Sequence, residues 1–382
     1  MNPNNLKKAF WLAVFILMMG CAVKGFAEMN FSLKPLLEAR YGYEDNILQV
    51  SEDNDPQNDF VTNVLAGIHM NVLFDAKTRG SARYEADFRR FVDYNRGNRQ
   101  DHLLSLQFYR RLRRSISLLT LGNLGLRSQS NEDINDYYKQ SIATQARVQW
   151  KPLWASQFGF QFRHKSYPHN RPSNYSSMML EGNLGRRMGM FSQLRGGYQF
   201  RTYNGSLDPR ALQLESGEKM EGFRQTASVW FESVLTAKVL MEWKYQFELD
   251  IATEGLQRQT DFPRWGEQIG DYEGEHEDSD DENVDFNFMN HRVAVMLAWR
   301  LFSRSTVALY ARHDAKFYED WPVPGRNGQR HDNLSLLQIY LKQKLFSNLS
   351  ARLQFSLEKN NSNDPMQEYT DRIYSIGLRF TF

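Results

Sequence analysis

Side chains that alternate between apolar and polar constrain this chain more than any other feature. Along residues 31–43 the odd positions form an apolar row, whereas Lys34, Glu38 and Arg40 lie between them. A period of two places alternate side chains on opposite faces of a β-strand. The pattern therefore predicts strands that have one apolar face and one polar face.

The same alternation recurs along the chain, with turn-rich segments between. Further apolar rows run from Val239 to Leu249 and from Leu349 to Leu357. We count about sixteen such segments, with fourteen to eighteen as the range, and an even number is the rule for single-chain bacterial barrels. The predicted strands start near residues 31, 62, 81, 102, 116, 138, 156, 175, 191, 224, 237, 286, 304, 334, 348 and 369.

The predicted connections alternate between short and long. Short ones include residues 75–79, 151–155, 301–304 and 346–348, and long ones include residues 45–59, 204–222, 251–285 and 319–331. Short periplasmic turns and long external loops are typical of transmembrane barrels, so an even strand count predicts both termini in the periplasm. A soluble β-sandwich or solenoid is the alternative, but neither explains the alternating loop lengths or the aromatic-rich apolar rows.

Composition agrees with a barrel. Beyond the N-terminal segment, no stretch approaches the roughly 20 apolar residues of a membrane-spanning helix. In a barrel the apolar residues form no long run, because lipid-facing and lumen-facing residues alternate. An aromatic content of 14% is typical of barrels with aromatic girdles at the membrane interfaces. We therefore predict an all-β fold, a transmembrane antiparallel up-and-down β-barrel, as a single domain over residues 28–382.

The N-terminus predicts export from the cytoplasm, which together with a transmembrane barrel predicts the bacterial outer membrane. Lys7 and Lys8 precede an apolar run and the small-residue site Gly25-Phe26-Ala27. These are the features of a signal peptide, predicted over residues 1–27 and cleaved from the mature chain. A lipoprotein box that ends in Cys21, with acylation of that cysteine, is the alternative.

Cysteine content and charge exclude several classes of function. The single cysteine lies in the predicted signal peptide, so a mature chain has no disulfide scaffold and no thiolate metal site. Removing Lys7, Lys8 and Lys24 from the 47 basic residues leaves 44, against 45 acidic residues. This balance argues against a nucleic-acid partner, because such domains carry a clear basic excess. No cofactor is predicted.

Charged residues of both signs occupy the predicted polar face. A barrel of about sixteen strands leaves an aqueous space unless loops plug it, so we predict a charged, water-filled pore. The alternative is a network of ion pairs across strands that satisfies itself. The predicted pore-lining residues are Lys34, Glu38, Arg40, Arg83, Glu85, Asp87, Arg147, Arg163, Glu181, Arg195, Arg201, Glu242, Lys244, Arg312, Lys342, Arg352 and Arg379, and the same phase contains Arg89, Gln145, Lys165, Glu248 and Glu358.

The two predicted phases respond differently to mutation. Val295 belongs to the apolar phase, so Val295→Arg is expected to impair insertion into the membrane. Arg352 belongs to the polar phase, so Arg352→Ala is expected to spare folding.

An acidic segment, Glu273–Asn283, lies in the longest predicted loop. Folded inward it would narrow the pore and repel anions. Outside the barrel its carboxylates could hold Ca²⁺ between neighbouring lipopolysaccharides. A disordered acidic loop is the simpler interpretation.

Histidines offer little support for chemistry. His291 and His313 are predicted to lie opposite each other on adjacent strands, counting from a turn at Phe302. Both fall in the lipid-facing phase, which favours interfacial side chains over a metal site. No Ser-His-Asp constellation emerges from the spacing, so no catalytic residue is predicted, and an enzyme at the external rim is an alternative hypothesis.

The last strand carries a family resemblance. Tyr374, Ile376, Leu378, Phe380 and Phe382 place an apolar residue at every second position back from a terminal phenylalanine. This arrangement resembles the C-terminal signature of bacterial outer-membrane barrels. The resemblance implies recognition of this strand by the barrel-assembly machinery, with outer-membrane lipid and lipopolysaccharide as further partners.

The first predicted strand carries a second, shorter resemblance. Residues Arg40 to Ile47 are similar to the opening of β-barrel porins found with exopolysaccharide export systems, although families of that kind often carry upstream helical repeats that this chain lacks. The resemblance implies passive passage of polar solutes or of a secreted polysaccharide, together with periplasmic export components as partners. A structural barrel with a plugged lumen is a further alternative.

Overall fold

The computed structural model describes residues 30–47, 57–129, 136–168, 174–206, 219–253, 287–323 and 328–381. The predicted signal peptide, the acidic segment at 273–283 and the terminal residue Phe382 lie outside the described residues. Within those ranges, no helix is long and apolar enough to cross a membrane.

The described chain is built from antiparallel strands joined in sequence order. Their bounds are β1 (Asn30–Glu44), β2 (Asp59–Asp75), β3 (Thr78–Phe91), β4 (Arg99–Arg113), β5 (Ile116–Gln129), β6 (Tyr137–Lys151), β7 (Trp154–Ser166), β8 (Tyr175–Arg187), β9 (Ser192–Ser206), β10 (Lys219–Thr236), β11 (Val239–Thr253), β12 (Phe288–Phe302), β13 (Ser305–Pro322), β14 (Gln329–Lys344), β15 (Leu349–Ser362) and β16 (Tyr369–Thr381). Two short 3₁₀ turns, Asn95–Gly97 and Pro365–Gln367, lie in the connections.

The sheet closes on itself. Each strand pairs with its neighbours in sequence, and β1 pairs with both β2 and β16. Closure pairs the first strand with the last over Leu36–Glu44 and so removes the long open edges that lipid could not satisfy. The predicted sixteen-strand barrel is confirmed, and the largest differences in strand start are at β10 and β14, which begin about five residues earlier than the alternation indicates.

Loop lengths alternate as predicted. Short turns join β2 to β3, β6 to β7, and β12 to β13, whereas the connections from β1 to β2 and from β11 to β12 are long. Thr381, near the end of the chain, donates its backbone N–H to Asn348 in a short turn, and Asn30 at the start of β1 pairs with Leu73 beside another. Both ends of the described chain therefore lie at the short-turn end of the barrel.

The strands are strongly tilted. The register that begins at Asn30 passes from each strand to the next and reaches Ser362 on β15. Asn30 lies at the short-turn rim and Ser362 at the long-loop rim, so this row of paired residues extends from one rim of the barrel to the other. Such a stagger is what closing a barrel of tilted strands demands.

Bulges adjust the register next to the short turns. Register shifts occur at the turn ends of β2, β4, β6, β10 and β12. A bulge inserts one unpaired residue and increases the local twist. The positions of these bulges decide which residues face each other farther along each hairpin.

The described residues form no central apolar core inside the barrel. Buried apolar residues form small clusters at the long-loop end: Ile47, Val61 and Phe91 with Tyr94, and Phe288 with Tyr318. Many large apolar side chains are instead exposed, among them Phe31, Phe158 and Ile376. A wall that exposes its apolar face is stable where that face meets lipid.

Candidate functional site: the inner face of the barrel

Contacts that skip a strand identify the inner face. Alternate strands lie about 9–10 Å apart, and side chains converge across that gap only on the concave side of a curved sheet. Gln145 on β6 donates to Glu181 on β8 at 2.9 Å, and Tyr203 on β9 donates to Asp250 on β11 at 2.5 Å. These residues therefore point into the barrel.

All seventeen predicted lining residues share that face, because the register connects their phase from strand to strand. Their exposure differs. Buried members are Glu38, Arg40, Glu85, Arg163, Arg312 and Arg352; half-buried members are Arg83, Asp87, Glu181, Arg195, Arg201, Glu242, Lys342 and Arg379; exposed members are Lys34, Arg147 and Lys244. Buried and exposed charges thus occur on the same inner face.

One buried carboxylate contacts three arginines. Glu38 on β1 contacts Arg352 on β15 at 2.9 Å and 3.2 Å, Arg40 at 3.2 Å and Arg379 on β16 at 3.7 Å. Glu38 is 1% exposed. This cluster, which we call the Glu38 cluster, joins three neighbouring strands where the first and last strands meet.

The Glu38 cluster changes one expectation from the sequence. Arg352 is buried and makes two hydrogen bonds to Glu38, so its removal leaves a gap in a packed ion cluster. Truncation of a buried charged hydrogen-bond partner destabilises a fold. We therefore expect Arg352→Ala to lower stability, contrary to the expectation that it would spare folding.

A second cluster lies near the long-loop end. Asp250 is fully buried and accepts hydrogen bonds from Tyr203 and from Arg224, the latter at 2.7 Å. Tyr203 reaches Asp250 by passing over Gly222, where a β-carbon would overlap the tyrosine ring. A glycine at this position is therefore required for the close approach of the two side chains.

Other ion pairs continue around the long-loop end. Arg89 pairs with Glu44, and Arg292 and Arg312 both pair with Asp314, the latter at 2.8 Å. Ion pairs across strands, which were the alternative to an open pore, therefore cover part of the inner face. Exposed charges such as Lys244 occupy another part.

Sequence reasoning missed several inner-face charges, namely Glu44, Arg224, Asp250, Asp314, Arg330 and Asp332. All six are buried and lie in the same period-two phase as the predicted lining residues. Extending that phase to the long-loop end of each strand would have found them. Their partners, by contrast, could not be read from the sequence.

The predicted opposition of His291 and His313 is wrong. His291 pairs in register with Ala315, and His313 pairs with Val293, because the bulge between Arg300 and Phe302 moves the register. The two histidines are therefore diagonal neighbours. His291 Nδ1 lies 2.9 Å from the Tyr245 hydroxyl, and His313 Nδ1 lies 3.0 Å from Ser335 Oγ.

The outer face is apolar where the membrane band is expected. Tyr374, Ile376 and Leu378 of the last strand are about half exposed, on the face opposite Asp371 and Arg379. Val295, at the middle of β12, faces outward beside Trp243 of β11. These positions agree with the apolar phase read from the sequence.

Comparisons with known proteins find the same fold among solved structures. No protein-family model matches the chain, and no curated protein matches it. The outer membrane channel DcaP of Acinetobacter baumannii has a TM-score of 0.50 at 10% identity, over 94% of this chain and 99% of DcaP. The outer-membrane expressed OmpT of Vibrio cholerae has a TM-score of 0.49 at 9% identity over 94% and 99%, and a bacterial polysaccharide outer membrane secretin has 0.46 at 12% over 91% and 97%. At such identities the similarity shows the fold alone, which is that of an outer-membrane barrel.

Proposed function

We propose that this outer-membrane barrel is a water-filled channel for the passive passage of polar solutes. One observation carries the proposal. Lys244 lies on the inner face at the middle of β11, and its side chain is exposed. A charged group that is open to solvent at half the height of the barrel supports a water-filled path along the lumen.

The physical argument concerns the cost of a dry lumen. An ammonium or guanidinium group without water or a counter-charge is expensive in a low dielectric. Lys34 and Arg147 are exposed inner-face charges as well, both in the short-turn half of the barrel. A barrel of about sixteen strands is wide enough to hydrate such groups.

A finer form of the proposal concerns a secreted polysaccharide. The resemblance of Arg40 to Ile47 to porins of exopolysaccharide export systems favours it, and inner-face arginines suit acidic sugar groups. Deletion of the gene tests this form: loss of secreted polymer with unchanged uptake of small solutes supports export. Altered solute uptake with normal polymer contradicts it and favours a general porin.

Assembly of the channel is a further part of the proposal. The exposed apolar row at Tyr374, Ile376 and Leu378 supports recognition of β16 by the barrel-assembly machinery. Ile376→Asp is expected to lower the amount of folded protein in the outer membrane while the denatured protein still refolds in detergent. Equal loss in both settings would indicate simple instability instead.

Conductance tests the channel directly. Purified, refolded protein in a planar bilayer is expected to give large, steady openings. Silence in a protein whose circular dichroism and heat-modifiable migration show a folded barrel would overturn the channel and favour a plugged structural barrel or a rim enzyme. Hydrolytic activity lost in His291→Ala or His313→Ala would support the enzyme.

A further inference from the structure

Four neighbouring strands carry an unusual charge balance. Strands β6 to β9 contain a single acidic residue, Glu181. Their inner face carries basic residues at two levels, which together we call the basic wall: Lys139, Arg163, Lys165 and Arg201 in the long-loop half, and Arg147 and Arg195 in the short-turn half. The rest of the inner face mixes both signs, as in the Glu38 cluster.

Like charges face each other within the basic wall. Lys139 and Lys165 are register partners on β6 and β7. Like charges directly opposite each other on adjacent strands destabilise a sheet. The Lys165 ammonium lies over the rings of Tyr137 and Tyr167, at 4.1 Å and 5.1 Å, which holds it in place without cancelling its charge.

The sole carboxylate of these strands is held against the wall. Glu181 accepts a hydrogen bond from Gln145 at 2.9 Å, and the contact passes over Gly159, where a β-carbon would overlap the carboxylate. One acid cannot balance six bases. Within these four strands, bases therefore exceed acids on the inner face.

The short-turn half of the wall is open to solvent. Arg147 is exposed, and its register partners on β5 and β7 are the uncharged residues Ser117 and Gln157. Arg195 donates to Gln193 at 3.2 Å and stacks over Trp230 at 4.3 Å, contacts that leave its charge in place. Glu232 and Glu242, on β10 and β11, border the wall on one side.

We infer that the lumen selects anions, and that the basic wall of β6 to β9 is the track along which carboxylated or other anionic solutes pass. This inference rests on the proposed channel function. Basic residues at two levels offer an anion successive weak sites, and conduction requires sites that attract without trapping. A surface with an excess of one sign of charge in a low-dielectric wall also raises the local concentration of counter-ions.

Reversal potential in a KCl gradient across a planar bilayer tests the inference. The wild-type channel is expected to prefer chloride over potassium, and Arg147→Gln/Arg195→Gln is expected to shift the reversal potential towards zero preference. The pair Lys34→Gln/Arg300→Gln is the matched control, because it also removes two positive charges: both residues are exposed inner-face cations in the short-turn half, on β1 and β12, outside the basic wall. Its effect is expected to be smaller.

Larger probes extend the test to the solute class. Oligogalacturonate, a carboxylated sugar oligomer, is expected to block the current at lower concentration than a neutral maltooligosaccharide of equal length, and Arg147→Gln/Arg195→Gln is expected to lose that difference.

Three outcomes separate the two proposals. Cation preference in a conducting wild-type channel overturns the inference and leaves the channel standing. Equal shifts in Lys34→Gln/Arg300→Gln and in Arg147→Gln/Arg195→Gln show that total lumen charge, and not the basic wall, sets selectivity. Absence of conductance overturns the channel itself.

Discussion

Neutralising Glu38 is the sharpest test of the inner-face packing. Glu38→Gln keeps the size of the side chain and removes the negative charge that Arg40, Arg352 and Arg379 all contact. The three guanidinium groups are nearly buried, with side-chain exposures of 9%, 6% and 12%. In the variant these three groups would repel one another with no negative charge between them.

The magnitude follows from burial. Removing one partner of a buried ion pair costs about 3–5 kcal/mol. With a urea dependence of about 3 kcal/mol per molar for a chain of this size, the unfolding midpoint should fall by about 1–2 M. The exposed pair of Asp45 and Arg372, with side-chain exposures of 21% and 47%, is the comparison. Asp45→Asn should cost about 1 kcal/mol or less.

Urea titration of the refolded barrel in lipid vesicles, followed by tryptophan fluorescence, measures both variants. The double variant Glu38→Gln/Arg379→Gln should recover part of the loss, because it removes one of the crowded positive charges. Equal midpoint shifts for Glu38→Gln and Asp45→Asn would refute the reasoning, since burial would then make no difference. Failure of the double variant to recover stability would show that repulsion is not the cause.

Three further changes test other parts of the wall. Val295→Arg places a charge at mid-height on the outer face and should lower stability in the bilayer by about 2–4 kcal/mol, seen as a smaller folded band in unheated gels, whereas Val295→Leu should insert normally. Gly222→Ala should displace Tyr203 from Asp250 and lower the free energy of unfolding by about 1–3 kcal/mol in the urea titration. Gly196→Ala, which has open space around its β-carbon, should lower it much less. Equal losses in the two variants would contradict the close approach of Tyr203 over Gly222. Arg352→Ala should insert into the membrane, but its free energy of unfolding in the urea titration should be lower by about 1.5–3 kcal/mol. An unchanged midpoint would support the expectation from the sequence that this variant spares folding.

The sequence by itself determined the architecture and the two faces of the wall. A period of two assigns each residue to lipid or lumen, and alternating loop lengths order the strands into hairpins. Closure then follows because lipid cannot satisfy an open strand edge. Lys244 and Val295 could therefore be assigned to their faces from local pattern alone.

The tertiary structure decided which residues meet. Period two gives the face of a side chain but not its height, and height depends on bulges and on the stagger of the barrel. The bulge beside Phe302 separates His291 from His313, and the curvature of the wall brings Tyr203 to Asp250 across an intervening strand.

Charge shows the same division between local pattern and assembled structure. The chain is close to neutral as a whole, and both signs occur in the polar phase. Strands β6 to β9 are neighbours in any up-and-down barrel, but the register decides at which height each of their bases lies on the inner face. Net charge is a sum over the chain, whereas the field in a lumen depends on where each charge lies, and that position exists only once the barrel has closed.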